Sequence, residues 1–153
     1  MKFLDFMEDN KNNKINIYCD MDGVVAEYDI GNFDYSKIRP LKSNIKKLEK
    51  LNKDKNINLF ILSICKTNDI ILEKKEWFKK YMPFLKEENM ILISKEDEKY
   101  NGISSKELKS NFLKEKCNKE TINVVIDDDN GIIKYLIKNN ENIKIFQVSS
   151  LID

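Results

Sequence analysis

The sequence contains no histidine. That excludes imidazole acid–base chemistry, histidine-driven serine or cysteine nucleophiles, and histidine-ligated zinc. Proton transfer has to come from carboxylates, lysine, tyrosine or cysteine. Arginine occurs once, at Arg39, and the 27 basic residues face 26 acidic ones without blocks of one sign. No basic stripe of the kind that grips nucleic acid through its phosphates is present. Four glycines and two prolines leave no room for a low-complexity linker. Cys19, Cys65 and Cys117 are odd in number and far apart, which supports neither a disulfide framework nor a zinc ribbon. Reduced thiols point to the cytoplasm. No run approaches the roughly 18 apolar residues of a membrane span. The leading MKFLDFMEDNKNN lacks the apolar region and cleavage site of a secretory signal. A chain of 153 residues suits a single domain over 1–153, large enough to bury a core without staples.

What is present is an alternation of short apolar runs and amphipathic segments. Strands are expected at Ile15–Cys19, Ile57–Leu62, Met90–Ile93, Ile122–Ile126 and Lys144–Val148. Helices are expected over Asn44–Leu51, over Ile70–Tyr81 with Asn68 or Asp69 as cap, over Lys106–Cys117 with Ser104 or Ser105 as cap, and over Gly131–Lys138. Trp77 and Phe78 fit a core-facing helix stripe. The apolar runs lack period-two alternation, so the order implies an α/β fold with a mostly parallel five-stranded sheet and helices on both faces. Right-handed crossovers then put every strand's C-terminal end on one edge, where such sheets bind ligands.

Asp20, Asp22, Ser63, Asp127 and Asp128 all fall on that edge. Asp20 and Asp22 flank Met21 at a strand end, where alternate residues point the same way. Two carboxylates 4 Å apart repel by about 4 kcal/mol at an effective dielectric of 20. Four or five of them need raised pKa values or a cation among them. Oxygen-only donors fit Mg²⁺, which completes its shell with water and substrate phosphate. Acidic turns also serve as turn formers and helix N-caps. Asp129 is expected in that role, and Ser63 alone would pass for a strand-end turn residue. Cys19 and Cys65 read as buried small apolar residues.

These residues resemble the haloacid dehalogenase (HAD) superfamily of phosphohydrolases. Asp20-Met21-Asp22-Gly23-Val24-Val25 is similar to its first motif, Phe60-Ile61-Leu62-Ser63 to its second, and Val124-Val125-Ile126-Asp127-Asp128 to its fourth. Within it, DMDGVVAEYD and the Glu73–Pro83 stretch look most like the 5'(3')-deoxyribonucleotidases. The resemblance implies a Rossmann-like HAD domain and a Mg²⁺-dependent phosphomonoesterase working through an aspartyl-phosphate. Asp20 is then the nucleophile and Asp22 the general acid and base, its backbone carbonyl also a metal ligand. Ser63 and the Ile64 amide bind the phosphoryl group, and Asp127 and Asp128 hold the metal with Asp20. The family's lysine is assigned to Lys109 first and Lys106 second, with Lys114 and Lys116 nearby. Only Gly23 to Leu62 separates the first two motifs, so a minimal cap or none is expected. Tyr28 and Phe33 lie in that stretch and could form a lid; Lys66 is a candidate substrate contact.

The implied partner is a small phosphorylated substrate, a nucleotide in the first instance, with nucleic acid weakly supported and no membrane. The alternatives are a 3'-phosphatase acting on nucleic-acid ends, which Lys109–Leu113 followed by IDDDN also resembles, or an inactive phosphate-binding module on the same fold. A phospho-accepting receiver domain carries its acidic pair after the first strand and its phosphorylated aspartate after the third. Here the third strand is followed by Ser94-Lys95.

Overall fold

The computed structural model describes residues 1–29, 31 and 34–151; Phe33, the second lid candidate, lies outside them. The strands are β1 (Ile15–Cys19), β2 (Ile57–Cys65), β3 (Met90–Ser94), β4 (Ile122–Asp127) and β5 (Lys144–Gln147). The helices are α1 (Phe3–Asp9), α2 (Lys42–Asn52), α3 (Asn68–Tyr81), α4 (Ser105–Lys116) and α5 (Asn130–Asn139). The sheet has the order β3-β2-β1-β4-β5 and every pairing is parallel. This is the α/β arrangement with a parallel sheet that the alternation implied, and the Rossmann-like one that the resemblance implied.

Strand side chains alternate between two apolar layers. Ile15, Ile17 and Cys19 of β1, Leu59 and Ile61 of β2, and Val124 and Ile126 of β4 share one layer with Phe3 and Met7 of α1, Leu48 of α2, and Trp77 and Phe78 of α3. Tyr18, Leu62 and Val125 point the other way, to Leu113 of α4 and Leu136 of α5. With both faces covered, the strands read as continuous apolar runs.

Three details differ from the expectation, and two expected caps are in place. Helix α1 was not foreseen, since two buried positions, Phe3 and Met7, are too short a pattern to stand out. Strand β2 runs past Leu62 to Cys65, because β3 is offset along it and pairs with Ile61–Cys65. Ser63 therefore sits within a strand, not in a turn. The cap of α3 is Thr67, whose hydroxyl accepts from the Ile70 amide, rather than Asn68 or Asp69. Ser104 caps α4, and Asp129 caps α5 by accepting from the Gly131 and Ile132 amides at 2.7 and 3.1 Å.

Between β1 and α2 the chain makes a short excursion. The Gly23 amide donates to the Ala26 carbonyl, Ala26 bridges to Pro40, the Glu27 amide donates to the Arg39 carbonyl, and the Leu41 amide donates to the Val25 carbonyl. Those bonds close its base. A 3-10 helix over Tyr35–Lys37 lies on the excursion, capped by the Asp34 side chain.

Candidate active site

The chain runs outward from β1 through β2 to β3, then returns to the other side of β1 for β4 and β5. The reversal opens a crevice at the C-terminal ends of β1 and β4, where open α/β sheets place ligands. Register does the rest. Cys19 is opposite Ile126, and the Asp20 amide donates to the Ile126 carbonyl at 3.0 Å, so Asp20 lies beside Asp127. Asp20, Asp127 and Asp128 each offer a carboxylate oxygen within 4.8 Å of the others.

Gly23 lets Asp128 come in. Its φ of +78° is a backbone state that a Cβ disfavours, and a Cβ there would stand 2.0 Å from Asp128 Oδ2. The acidic turn after β4 thus packs directly on the turn after β1.

Lys109 reaches this cluster from α4. Its Nζ donates to Asp127 Oδ2 at 2.7 Å and lies 3.2 Å from Asp20 Oδ1. Burial by itself would lower the Lys109 pKa, but the Asp20 and Asp127 carboxylates outweigh it and raise the value, so the ammonium stays charged. Burial pushes the Asp127 carboxyl upward, with Lys109 pulling back and Asp20 adding to the rise. Asp128 goes up to about 6 through burial and the negative charges of Asp20 and Asp127. Of the two candidate lysines, Lys109 is in the crevice. Lys106 instead lies over the Tyr135 ring, 5.3 Å from its centroid.

A second network surrounds Asp22, and sequence reasoning missed two of its members. Lys74, 1% exposed, donates from Nζ to Ser63 Oγ at 2.8 Å and to Asp22 Oδ2 at 3.3 Å. Tyr35 donates its hydroxyl to Asp22 Oδ1 and Oδ2 at 3.1 and 3.2 Å. Burial and then the Asp22 charge push the Tyr35 phenol well above the usual tyrosine range, so it stays a donor. A signal for Lys74 existed: it falls three and four residues before Trp77 and Phe78, on the one stripe of α3 that faces the core. Nothing in the sequence pointed to Tyr35, a loop residue placed by tertiary packing.

Two cavities meet here. One, of about 240 Å³, is lined by Asp20, Asp22, Ser63, Ile64, Lys109 and Asp128. The other, of about 290 Å³, lies under the excursion against Tyr35, Ile38, Lys66, Ile70 and Lys74. Asp22, Tyr28 and Ile64 border both. The expected residues Asp20, Asp22, Ser63, Ile64, Lys109, Asp127 and Asp128 are therefore brought to one place. Tyr28, 66% exposed, stands at the mouth. Cys19 and Cys65 are buried free thiols, and burial raises the pKa of each. That makes them packing groups, not nucleophiles.

The donor set fits a hard divalent cation. It is all oxygen, and one buried ammonium carries a single positive charge against three carboxylates. Asp20, Asp127 and Asp128 are the side chains able to hold such an ion. The Asp22 side chain is committed to Lys74 and Tyr35.

The fold matches that of HAD domains. The HAD domain of effector protein Lem4 from Legionella pneumophila superposes with a TM-score of 0.52 over 88% of this chain and 85% of that one, at 11% identity. A structure of an inactive mutant of that domain gives the same TM-score at 10% identity. At such identity the likeness is one of fold. No protein-family model and no curated protein matches the sequence.

Proposed function

We propose that the chain is a Mg²⁺-dependent phosphomonoesterase that hydrolyses a phosphate ester through an aspartyl-phosphate on Asp20. The observation that carries this reading is the meeting of Asp20, Asp127, Asp128 and Lys109 at the sheet's switch point, with Asp22, Ser63 and Lys74 alongside. Phosphoryl transfer needs in-line positioning and neutralised charge more than any other chemistry, and these parts supply both. Asp20, Asp127 and Asp128, with the Asp22 backbone carbonyl, would hold Mg²⁺, which when bound would supply charge neutralisation for the phosphoryl group.

The residues divide the work as follows. Lys109, the Ser63 hydroxyl and the Ile64 amide hold the phosphoryl oxygens, and Lys74 keeps Ser63 oriented. An Asp20 oxygen attacks phosphorus while the bond to the leaving oxygen breaks, and Asp22 gives that oxygen its proton. Asp22 then takes a proton from water as the water oxygen attacks phosphorus. The bond to Asp20 breaks, phosphate leaves, and both carboxyl groups return to their starting states.

The larger cavity beyond Asp22 receives the leaving group. Tyr28 at its mouth offers a ring face to a nucleobase, which favours a nucleotide as substrate. The excursion 27–39 is short, so the site is reachable by a longer ligand; that feature favours the second reading, a 3'-phosphatase on nucleic-acid ends. The nearly balanced charge favours the first. Three buried free thiols, and no described helix long and apolar enough to cross a membrane, suit a cytoplasmic setting.

The test is phosphate release from 4-nitrophenyl phosphate, nucleoside monophosphates and a 3'-phosphorylated oligonucleotide, with Mg²⁺ and with EDTA. Turnover is expected with Mg²⁺ only, greatest on a nucleotide, and absent in Asp20→Asn. Turnover indifferent to EDTA, or unimpaired Asp20→Asn, contradicts the reading.

A further inference from the structure

We propose that Tyr35 is a positioning residue for Asp22, holding its carboxyl in the orientation from which it protonates the leaving oxygen. The assignment rests on the phosphatase reading above.

A carboxyl at the end of an aspartate rotates over a broad torsional range, since χ2 is an sp³–sp² torsion. Here it is gripped from two elements. Lys74 of α3 engages Oδ2 at 3.3 Å. Tyr35, from the excursion, donates to both oxygens at 3.1 and 3.2 Å. The one hydroxyl proton of Tyr35 points at the Asp22 carboxylate, so the contact orients Asp22.

The hydroxyl is itself mounted firmly. The Trp77 indole donates to the Ile38 carbonyl at 3.0 Å, just beyond the 3-10 helix that bears Tyr35. Lys74 Nζ sits 5.2 Å from the Tyr35 ring centroid, so one ammonium touches the ring, the Asp22 carboxylate and Ser63. Asp22 and Tyr35 both line the larger cavity, the one assigned above to the leaving group. Fixing the acid there is the kind of support that converts a carboxyl within reach into one aligned for transfer.

Protonation matters little to a leaving group as stable as 4-nitrophenolate and a great deal to an alkoxide. The test is therefore kcat/KM of Tyr35→Phe, which removes only the hydroxyl, on 4-nitrophenyl phosphate and on an alkyl ester such as a nucleoside 5'-monophosphate. This ratio covers substrate binding and the first chemical step, so the later step, in which Asp22 acts as base, does not mask the effect. On the alkyl ester a loss of roughly tenfold is expected, and on the aryl ester less than about twofold. In an Asp22→Asn background the same change should cost nothing further on the alkyl ester.

Equal losses on both esters, no loss on either, or an undiminished loss in the Asp22→Asn background overturns the assignment and leaves the phosphatase reading standing. A wild-type chain inert towards both esters contradicts that reading and takes the assignment with it.

Discussion

A Cβ placed on Gly23 would lie 2.0 Å from Asp128 Oδ2 and 2.3 Å from Asp128 Cγ. The two turns that carry the acidic residues, one after β1 and one after β4, are in contact only because that position has no side chain. The φ of +78° adds a second reason for glycine. Gly23→Ala is therefore expected to cost about 1–2 kcal/mol in backbone strain and to drive the Asp128 carboxylate out of the cluster. Calorimetric titration with Mg²⁺ should show affinity weakened by about tenfold or more, alongside a modest fall in thermal stability. Unchanged Mg²⁺ affinity would place the ion elsewhere.

Asp128 also sets a pH dependence. Its pKa stands at about 6 against an ordinary 3.8, raised by burial and by Asp20 and Asp127. The folded chain binds this proton more tightly than the unfolded chain. Stability contributed at low pH is therefore lost as pH rises from about 4 through 6. The full shift corresponds to about 3 kcal/mol, and solvent screening at this half-buried group reduces it to about 1–2 kcal/mol. Without divalent ions, Asp128→Asn should match the wild type near pH 4 and exceed it by that amount at about pH 7. Urea unfolding at the two pH values checks this. Saturating Mg²⁺ should reverse the order at neutral pH, because only the wild type binds the ion with its full set of ligands.

Lys109 pairs with an Asp127 that is 1% exposed. Removing the ammonium leaves a buried carboxylate without its cation. Lys109→Met is expected to destabilise the metal-free chain by about 3–5 kcal/mol. The double variant Lys109→Met, Asp127→Asn should recover most of that loss, since the orphaned charge goes with it. Denaturant unfolding of the two variants measures the difference. Equal instability in both would show that the lysine's packing, not its charge, is what matters.

Much of this is legible in the sequence. Ile15–Cys19 and Ile122–Ile126 are apolar runs that end in aspartates, and parallel topology forces their ends to one edge. Asp20, Asp127 and Asp128 followed from that. Lys109 was reachable only through the family resemblance, because a lysine on a charged helix ordinarily faces water. Lys74 was harder still: its neighbours Glu73 and Lys75 read as a solvated face, and only the phase of Trp77 and Phe78 betrays it. Tyr35 depends on where the excursion folds back over Asp22, a contact spanning 13 positions with no periodic pattern to announce it. Helix α1 escaped notice for want of length, and Thr67 because the more common capping types, Asn68 and Asp69, follow it.

The central claim is that Asp20 accepts the phosphoryl group. Acid-quenching the Mg²⁺-loaded chain during turnover of a phosphate ester, then mapping the added phosphoryl mass by peptide mass spectrometry, tests it directly. The account predicts the modification on the peptide bearing Asp20, absent from Asp20→Asn and absent with EDTA. A turning-over chain with the label on another residue would contradict it, as would no label trapped on Asp20 when Asp22→Asn, slowed in the second step, is given 4-nitrophenyl phosphate, whose leaving group needs no proton.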